Sequence, residues 1–190
     1  MTDTAPRPDP TIPDRPSLEG LEEKWDGVWS EQDLYAFDPD TTRDQVFSVD
    51  TPPPTASGSL HVGHVFGYSQ ADMIVRYQRM RGKNVFYPLG WDDNGLPTER
   101  RAQNYYGVRC DPSLPYDPDF VPPQEGGSNK SSKAANQLPI SRRNFIELCE
   151  QLTALDERSF EEVFRTLGLS VDWDHSYQTI NAASRATSQR

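Results

Sequence analysis

The chain is poor in several residue types, and each shortage narrows what it can be. Only two of its 190 residues are cysteines, and Cys110 and Cys149 lie far apart, which predicts a reducing cytosol and not a disulfide framework. No apolar run approaches membrane-spanning length and the amino terminus lacks a secretory signal, so we expect a cytoplasmic protein without a membrane partner. Positive charge is scarce, since 19 Lys and Arg against 29 Asp and Glu give a net charge of −10. This balance argues against a free-standing nucleic-acid binder, but it allows a catalytic piece whose RNA contacts lie elsewhere.

The spacing of apolar residues predicts alternating strands and helices. A strand, a helix and a second strand fall within the length of one parallel βαβ unit, which indicates an α/β fold with its ligand site at the carboxyl ends of the strands. The helix of that unit has an apolar stripe, and His61 and His64 lie off it, which predicts that neither is a core histidine. The stripe consists of Val62, Phe66, Ser69, Met73, Tyr77 and Met80.

The predicted elements have these limits. Strands cover residues 46–50 and 85–89, with a short extended piece over 171–173. Helices cover residues 18–32, 97–105 and 140–167, and a further helix begins near the end of the chain. Ser17 is the expected N-cap of the first helix, and Ser57 or Ser59 is the expected N-cap of the helix that runs to residue 81.

The segment that opens this last helix combines two glycines with two histidines. Gly58 and Gly63 let backbone approach a bound group, and the helix N-terminus adds unpaired N–H donors and partial positive charge. His61 and His64 can hold phosphate oxygens as charge moves to departing pyrophosphate, so a nucleoside triphosphate is the expected ligand. Two alternatives stay open: a metal site, although His175 is the only other histidine, and surface histidines without a role.

A second unusual loop, residues 90–95, follows the second predicted strand. One of its carboxylates can pair with a substrate ammonium while Trp91 and nearby prolines enclose an apolar side chain. There are two alternatives to an amino-acid site: the loop is an ordinary turn, or Asp92 and Asp93 bind a metal ion. Because both unusual loops fall at adjacent strand ends, we favour one joint site. By contrast, residues 130–133, Lys-Ser-Ser-Lys, lie in low-complexity surroundings and predict a solvated linker.

Together these motifs resemble those of the class I aminoacyl-tRNA synthetases. His-Val-Gly-His at 61–64 is similar to the His-Ile-Gly-His signature of the class, and residues 52–60 lead into it as in the valine, isoleucine and leucine branch. Residues 90–99 resemble the Gly-Trp-Asp…Gly-Leu-Pro…Glu segment of that branch, and residues 105–116 are similar to one form of the valine-specific enzymes. The resemblance covers residues 17–180.

The resemblance implies an α/β fold that is the first half of a Rossmann-type nucleotide-binding domain with flanking helices. It also implies an order of segments along the chain. These are a disordered arm over 1–16, an N-terminal packing helix and linker over 17–44, the first half of the Rossmann catalytic domain over 45–107, an irregular loop over 108–139, and a helical segment over 140–190 that leads towards an absent editing insertion.

Site residues follow from the same resemblance. His61 and His64 would be catalytic, binding ATP phosphates and stabilising the transition state, with Gly58 and Gly63 also in the ATP site. Asp92 would hold the ammonium group of the amino acid. The amino-acid site would consist of Pro52, Pro53, Pro54, Thr55, Trp91 and Asp92. ATP with Mg²⁺ would be a substrate, and neither a metal ligand nor a tightly bound cofactor is expected. Thr55 and residues 90–95 depart from the Asn and the Gly-Thr-Asp-His-Ala-Gly of many bacterial valine enzymes.

The implied reaction joins valine to ATP, releases pyrophosphate, and transfers the valyl group to the 3′ end of tRNA(Val). The second class signature, Lys-Met-Ser-Lys-Ser, is absent, so we expect an N-terminal fragment that is inactive alone. The complete enzyme would bind tRNA through downstream regions and be a monomer. Alternatives are an isoleucine or leucine enzyme, against which residues 91–94 count, another nucleotidyltransferase, and a truncated non-catalytic relative.

Overall fold

The computed structural model describes residues 17–58, 60–126 and 136–190. The predicted arm over 1–16, the linker over 130–133 and the alternative cap Ser59 lie outside the described residues. The described helices are α1 (Leu21–Glu31), α2 (Val62–Met80), α3 (Leu96–Tyr106), α4 (Arg142–Thr166), a 3₁₀ helix (Trp173–His175) and α5 (Ala182–Ser188). The described strands are β1 (Val46–Ser48), β2 (Asn84–Phe86), β3 (Gly90–Trp91), β4 (Val108–Cys110), β5 (Leu138–Ile140) and β6 (Tyr177–Gln178).

The strands form three parallel pairs, β1–β2, β3–β6 and β4–β5. β1, α2 and β2 make the predicted βαβ unit, with Val46 opposite Asn84 and Ser48 opposite Phe86. The α/β content and the parallel pairing are therefore confirmed. The predicted strand over 85–89 is shorter than expected, since β2 ends at Phe86 and a separate strand, β3, begins at Gly90. Pro88 lies between them, and its missing N–H cannot donate to a ladder.

The stretch predicted as an irregular loop over 108–139 has strands at both ends. β4 and β5 pair in parallel there, with Val108 opposite Leu138 and Cys110 opposite Ile140. The extended piece predicted over 171–173 ends one residue early, because Asp172 is extended and caps the 3₁₀ helix that begins at Trp173. β1 and β2 are equally short but lie in longer apolar runs, whereas β4 and β5 have no such run around them, so sequence spacing does not reveal them.

Two of the predicted helix caps are wrong. α1 follows Gly20, which has a left-handed φ of 75° and makes no side-chain cap. Ser17 accepts only the nearby Glu19 N–H, at 3.2 Å. α2 is capped by His61 and not by Ser57. An imidazole nitrogen can accept the N–H that a serine hydroxyl would otherwise take, so residue preferences alone miss this cap.

α4 joins two hydrophobic clusters. Phe160 and Phe164 pack into the first, and Phe145, Leu148 and Leu152 pack into the second. The other buried members of the first cluster are Tyr68, Val75, Val85, Tyr87, Leu89, Trp91, Leu169 and Val171. Ala102, Tyr106, Val108 and Ile140 complete the second. α4 therefore lies between the βαβ unit and the α3–β4 region.

The apolar stripe predicted on α2 faces solvent. Val62 is 83% exposed, Met80 is 80% exposed, and Phe66, Met73 and Tyr77 are also exposed. The buried face consists of Tyr68, Asp72 and Val75. Burial of Asp72 is possible because Arg76 Nε donates to its carboxylate at 2.7 Å and the Ser170 N–H donates at 2.8 Å.

Because the buried face of α2 is not the predicted one, the two histidines lie in different surroundings from those expected. His64 lies four residues before Tyr68 and therefore on the side of the helix that faces the protein. Its ring is 6.5 Å from the ring of Phe160 in the core, whereas His61 is exposed. No helix among the described residues is long and apolar enough to cross a membrane.

Candidate active site

The two unusual loops are joined by backbone hydrogen bonds. An isolated parallel bridge links Thr55 to Asp92. The Asp92 N–H donates to the Pro54 carbonyl at 3.0 Å, and the Ala56 N–H donates to the Asp92 carbonyl at 2.9 Å. The end of the segment after β1 and the end of β3 therefore form one edge, as expected for loops that follow neighbouring parallel strands.

The two histidines cap their own helix. The Gly63 N–H donates to His61 Nδ1 at 3.1 Å, and the His61 N–H donates to His64 Nδ1 at 3.3 Å, which makes a reciprocal capping box. Because each Nδ1 accepts a hydrogen bond, a neutral ring carries its proton on Nε2. Each histidine then keeps one Nε2–H donor for a ligand, and the two ring centroids are 4.0 Å apart.

Charge around this helix start favours an anion. Burial lowers the pKa of His64 below its ordinary value of 6.5, and the neighbouring His61 lowers it further, so His64 is a neutral donor at pH 7. The first turn of α2 contains no acidic residue, so nothing in the turn offsets the positive end of the helix dipole. Uncharged donors at a positive helix terminus suit phosphate oxygens.

The two glycines of the segment have different roles. A Cβ on Gly63 would lie 2.9 Å from His61 Cε1, so the missing side chain makes room for the capping imidazole. Gly58 has a φ of 120°, a conformation that other residues rarely adopt, and a Cβ there would meet nothing within 4 Å. Its N–H donates to Asp156 of α4 at 3.0 Å.

On the amino-acid side, the structure brings Thr55 and Asp92 together. The Thr55 hydroxyl donates to Asp92 Oδ2 at 3.1 Å. Pro54 is buried, Pro53 is half-buried and Pro52 is exposed. These positions leave the Thr55–Asp92 pair at the edge where the loops meet, with Pro54 beneath it.

Aromatic packing connects the two halves of the site. Trp91 is 4% exposed, and its ring lies 6.3 Å from Phe160 and 6.5 Å from Phe164. Phe160 is therefore a neighbour of both Trp91 and His64, whose ring is 6.5 Å away. The Tyr68 hydroxyl donates to the Pro52 carbonyl, and burial raises the pKa of Tyr68 to about 12, so this donor keeps its proton.

Asp93 is a residue to which the sequence analysis assigned no specific role, since it named Asp92 as the partner of the ammonium. It is 4% exposed, and no donor in the described part of the chain reaches either carboxylate oxygen. Burial, followed by the adjacent Glu157 carboxylate, raises the pKa of Asp93 to about 7. Two touching carboxyl groups can form a hydrogen bond only when one is protonated, and Gln178 Nε2 donates to both Glu157 oxygens at 2.9 Å. We therefore place the proton on Asp93.

Sequence reasoning also missed Asp156 and Glu157, which hold the two loops from α4. A signal for Asp156 was available, because it lies four residues from both Leu152 and Phe160 and so falls on the apolar face of an amphipathic helix. His175 is not part of the site, since it contacts Asp172 at 2.8 Å and packs beside Phe86. Across the described ranges, no cluster of three or more His, Cys, Asp or Glu residues could hold a metal ion.

Comparison with known proteins gives three findings. The family model described as tRNA synthetases class I (I, L, M and V) matches residues 24–112. A valine–tRNA ligase of Leifsonia xyli subsp. xyli is 65% identical over 182 residues, which is 94% of this chain and 21% of that protein. A valine–tRNA ligase of Thermobifida fusca is 62% identical over 179 residues, 94% of this chain and 20% of that protein. The chain thus spans about a fifth of the length of these curated relatives.

A solved structure is also similar. The ternary complex of Agrobacterium radiobacter K84 agnB2 LeuRS, tRNA and LeuAMS aligns with a TM-score of 0.60 at 23% identity. The alignment covers 86% of this chain and 16% of the other. At that identity the likeness shows a shared fold over the matching region.

Proposed function

We propose that this chain contributes the ATP- and valine-binding elements of a valine–tRNA ligase. The proposal is supported by its similarity to the class I tRNA synthetases and, over 94% of its length, to valine–tRNA ligases. The observation that carries the proposal is the pair of imidazoles that cap α2 through Nδ1, which leaves Nε2–H of each ring to donate to phosphate. The β1–α2–β2 unit supports the further proposal that these elements form the first half of a Rossmann-type nucleotide-binding domain.

The proposed chemistry begins with valine and ATP, which is bound as its Mg²⁺ complex and is a substrate. A carboxylate oxygen of valine attacks the α-phosphorus, the bond from that phosphorus to the bridging oxygen breaks, and pyrophosphate leaves with the electron pair. His61 and His64 donate to oxygens whose negative charge grows in this step, so they stabilise the transition state without forming a covalent intermediate. Their fixed tautomer means that no proton has to move before the reaction.

In the same proposal, Asp92 binds the ammonium group of valine. The Thr55 hydroxyl holds the Asp92 carboxylate in place, and the backbone bridge between these residues fixes its position relative to the segment that leads to His61. A protonated Asp93 leaves Asp92 and Glu157 as the charged carboxylates at this edge, which limits repulsion before the ammonium arrives.

Transfer of the valyl group to tRNA(Val), and a cytoplasmic location, belong to the proposal for the whole protein, because the chain spans about a fifth of its relatives. An apolar pocket discriminates only weakly between amino acids of similar size and shape, and valine enzymes are the known example for valine against threonine. Substrate identity therefore has to be measured.

The test is amino-acid-dependent exchange between ATP and pyrophosphate. We would use a hybrid enzyme in which this chain replaces the matching segment of the Leifsonia relative, with which it shares 65% identity. Exchange should be strongest with valine and weaker with threonine, isoleucine and leucine. Stronger exchange with isoleucine or leucine would contradict the valine assignment, and a folded hybrid without exchange would contradict the proposed activity.

A further inference from the structure

Asp156 is a buried carboxylate that connects three elements of the site. It lies in α4, is 7% exposed, and accepts the Gly58 N–H at 3.0 Å on Oδ2. Arg101 of α3 reaches the same carboxylate, with Nε 3.3 Å from Oδ2 and Nη2 3.3 Å from Oδ1. Charge-assisted hydrogen bonds of this type are stronger than neutral ones. One carboxylate therefore ties the segment before α2 and the helix after β3 to α4.

The contact matters because Gly58 has no side chain of its own to anchor it. Even a Cβ built at this position would meet no atom within 4 Å. With a φ of 120°, the residue has wide conformational freedom unless a hydrogen bond restricts it. The Asp156 carboxylate supplies that restriction three residues before His61.

The position of His61 depends on the path of this segment. The capping box forms only when the His61 N–H and the His64 ring meet, at 3.3 Å. If Gly58 changes its position, the His61 backbone is no longer fixed relative to the His64 ring, and the two imidazoles lose the arrangement in which their rings lie 4.0 Å apart. A fixed path keeps the donors in place before a ligand arrives, which avoids an ordering cost on binding.

We propose that Asp156 is a positioning residue for phosphate binding, which holds the Gly58 segment so that His61 and His64 face the same anion. The inference rests on the proposed function, since it assumes that the anion is the triphosphate of ATP. Arg101 pairs with the carboxylate and so keeps a charged acceptor in a buried position.

The test uses two measurements on the hybrid enzyme described above, in which the ATP site is complete. Hydrogen–deuterium exchange of a peptide covering residues 56–64 reports the order of the segment, and calorimetric titration with Mg·ATP reports phosphate binding. Asp156→Ala should raise exchange in this peptide about tenfold and weaken ATP binding about tenfold, the loss expected for one charge-assisted hydrogen bond. Asp156→Asn keeps an acceptor for the Gly58 N–H and should restore much of both properties.

Asp72→Ala is the matched control. Asp72 is 6% exposed and accepts from Arg76 and Ser170, so its loss removes a similar buried ion pair away from Gly58. It should lower stability while exchange in the 56–64 peptide and ATP affinity stay near those of the unmodified chain.

Three results would overturn the proposal. They are unchanged exchange in Asp156→Ala, unchanged ATP affinity despite faster exchange, and equal losses in Asp72→Ala. A folded hybrid with the unmodified chain that binds no Mg·ATP would contradict the proposed function, and with it the phosphate role of Asp156. The exchange measurement separates the two failures, because it tests the tie to Gly58 without any ligand.

Discussion

Replacing Asp93 by asparagine should change how the stability of the chain depends on pH. Asp93 is buried against Glu157, and a proton on one of them is needed for a hydrogen bond between the two carboxyl groups. An asparagine amide can donate to Glu157 at every pH. The variant should therefore lack the titration that the aspartate causes, while the size of the side chain hardly changes.

The magnitude follows from the raised pKa of Asp93. The folded chain binds this proton more tightly than the unfolded chain, so the stabilisation is complete below pH 3.8 and is lost as the pH rises to about 7. A pKa of about 7 in place of 3.8 corresponds to about 4 kcal/mol in total. Between pH 5 and pH 7 the loss is about 2 to 3 kcal/mol. Glu157 and Asp92 are the neighbouring carboxylates whose charge raises the pKa of Asp93, after burial.

Urea unfolding, followed by tryptophan fluorescence at pH 5, 6, 7 and 8, measures the effect. The free energy of unfolding of Asp93→Asn minus that of the unmodified chain should grow with pH and be positive at pH 8. Asp72→Asn is the control, because its carboxylate is held by Arg76 and Ser170 and the change should cost stability at every one of these pH values. Parallel pH profiles for Asp93→Asn and the unmodified chain would refute the reasoning.

Three further predictions concern packing, capping and the amino-acid site. In urea unfolding, Val75→Ala should destabilise the chain by about 2 kcal/mol, because Val75 is fully buried. Phe66→Ala should cost less than about 0.5 kcal/mol, because Phe66 is 66% exposed. Similar losses in the two variants would contradict the orientation of α2. Ser141→Ala should cost about 1 kcal/mol by the same assay, since Ser141 Oγ accepts the Asn144 N–H at the start of α4; an unchanged midpoint would show that this cap is dispensable. Thr55→Val should raise the KM for valine about tenfold in the exchange assay, because it removes the hydroxyl that donates to Asp92, and Thr55→Ser should have a KM near the original value. A KM in Thr55→Val equal to that of the unmodified hybrid would exclude a role for this hydroxyl.

Much of the site could be predicted because its signals are local. The βαβ unit follows from two apolar runs on either side of a long helix, and the loops after its strands are visible as unusual compositions. The meeting of residues 55 and 92 follows from the general position of sites in parallel sheets. The spacing of His61 and His64 suffices to propose them as donors to phosphate, but it does not predict that they cap their own helix.

The features that the sequence does not predict depend on contacts between segments that lie far apart in the chain. β6 pairs with β3 across more than eighty residues of sequence, and two-residue strands have no period of their own. The apolar stripe of α2 predicts the wrong buried face because the true core face includes Asp72, whose burial depends on Arg76 and Ser170. Asp156 and Glu157 gain their significance from Gly58 and from the loop after β3, which only the fold brings near α4.

The most direct test of the central claim compares two histidines in the hybrid enzyme. His64→Ala removes a donor that faces the proposed phosphate site, whereas His175→Ala removes a histidine that contacts Asp172 and lies outside it. Valine-dependent exchange between ATP and pyrophosphate should fall about a hundredfold in His64→Ala, as for the loss of one transition-state donor, and stay near the original rate in His175→Ala. Equal rates for the two variants would contradict the assignment of the α2 amino terminus as the phosphate site.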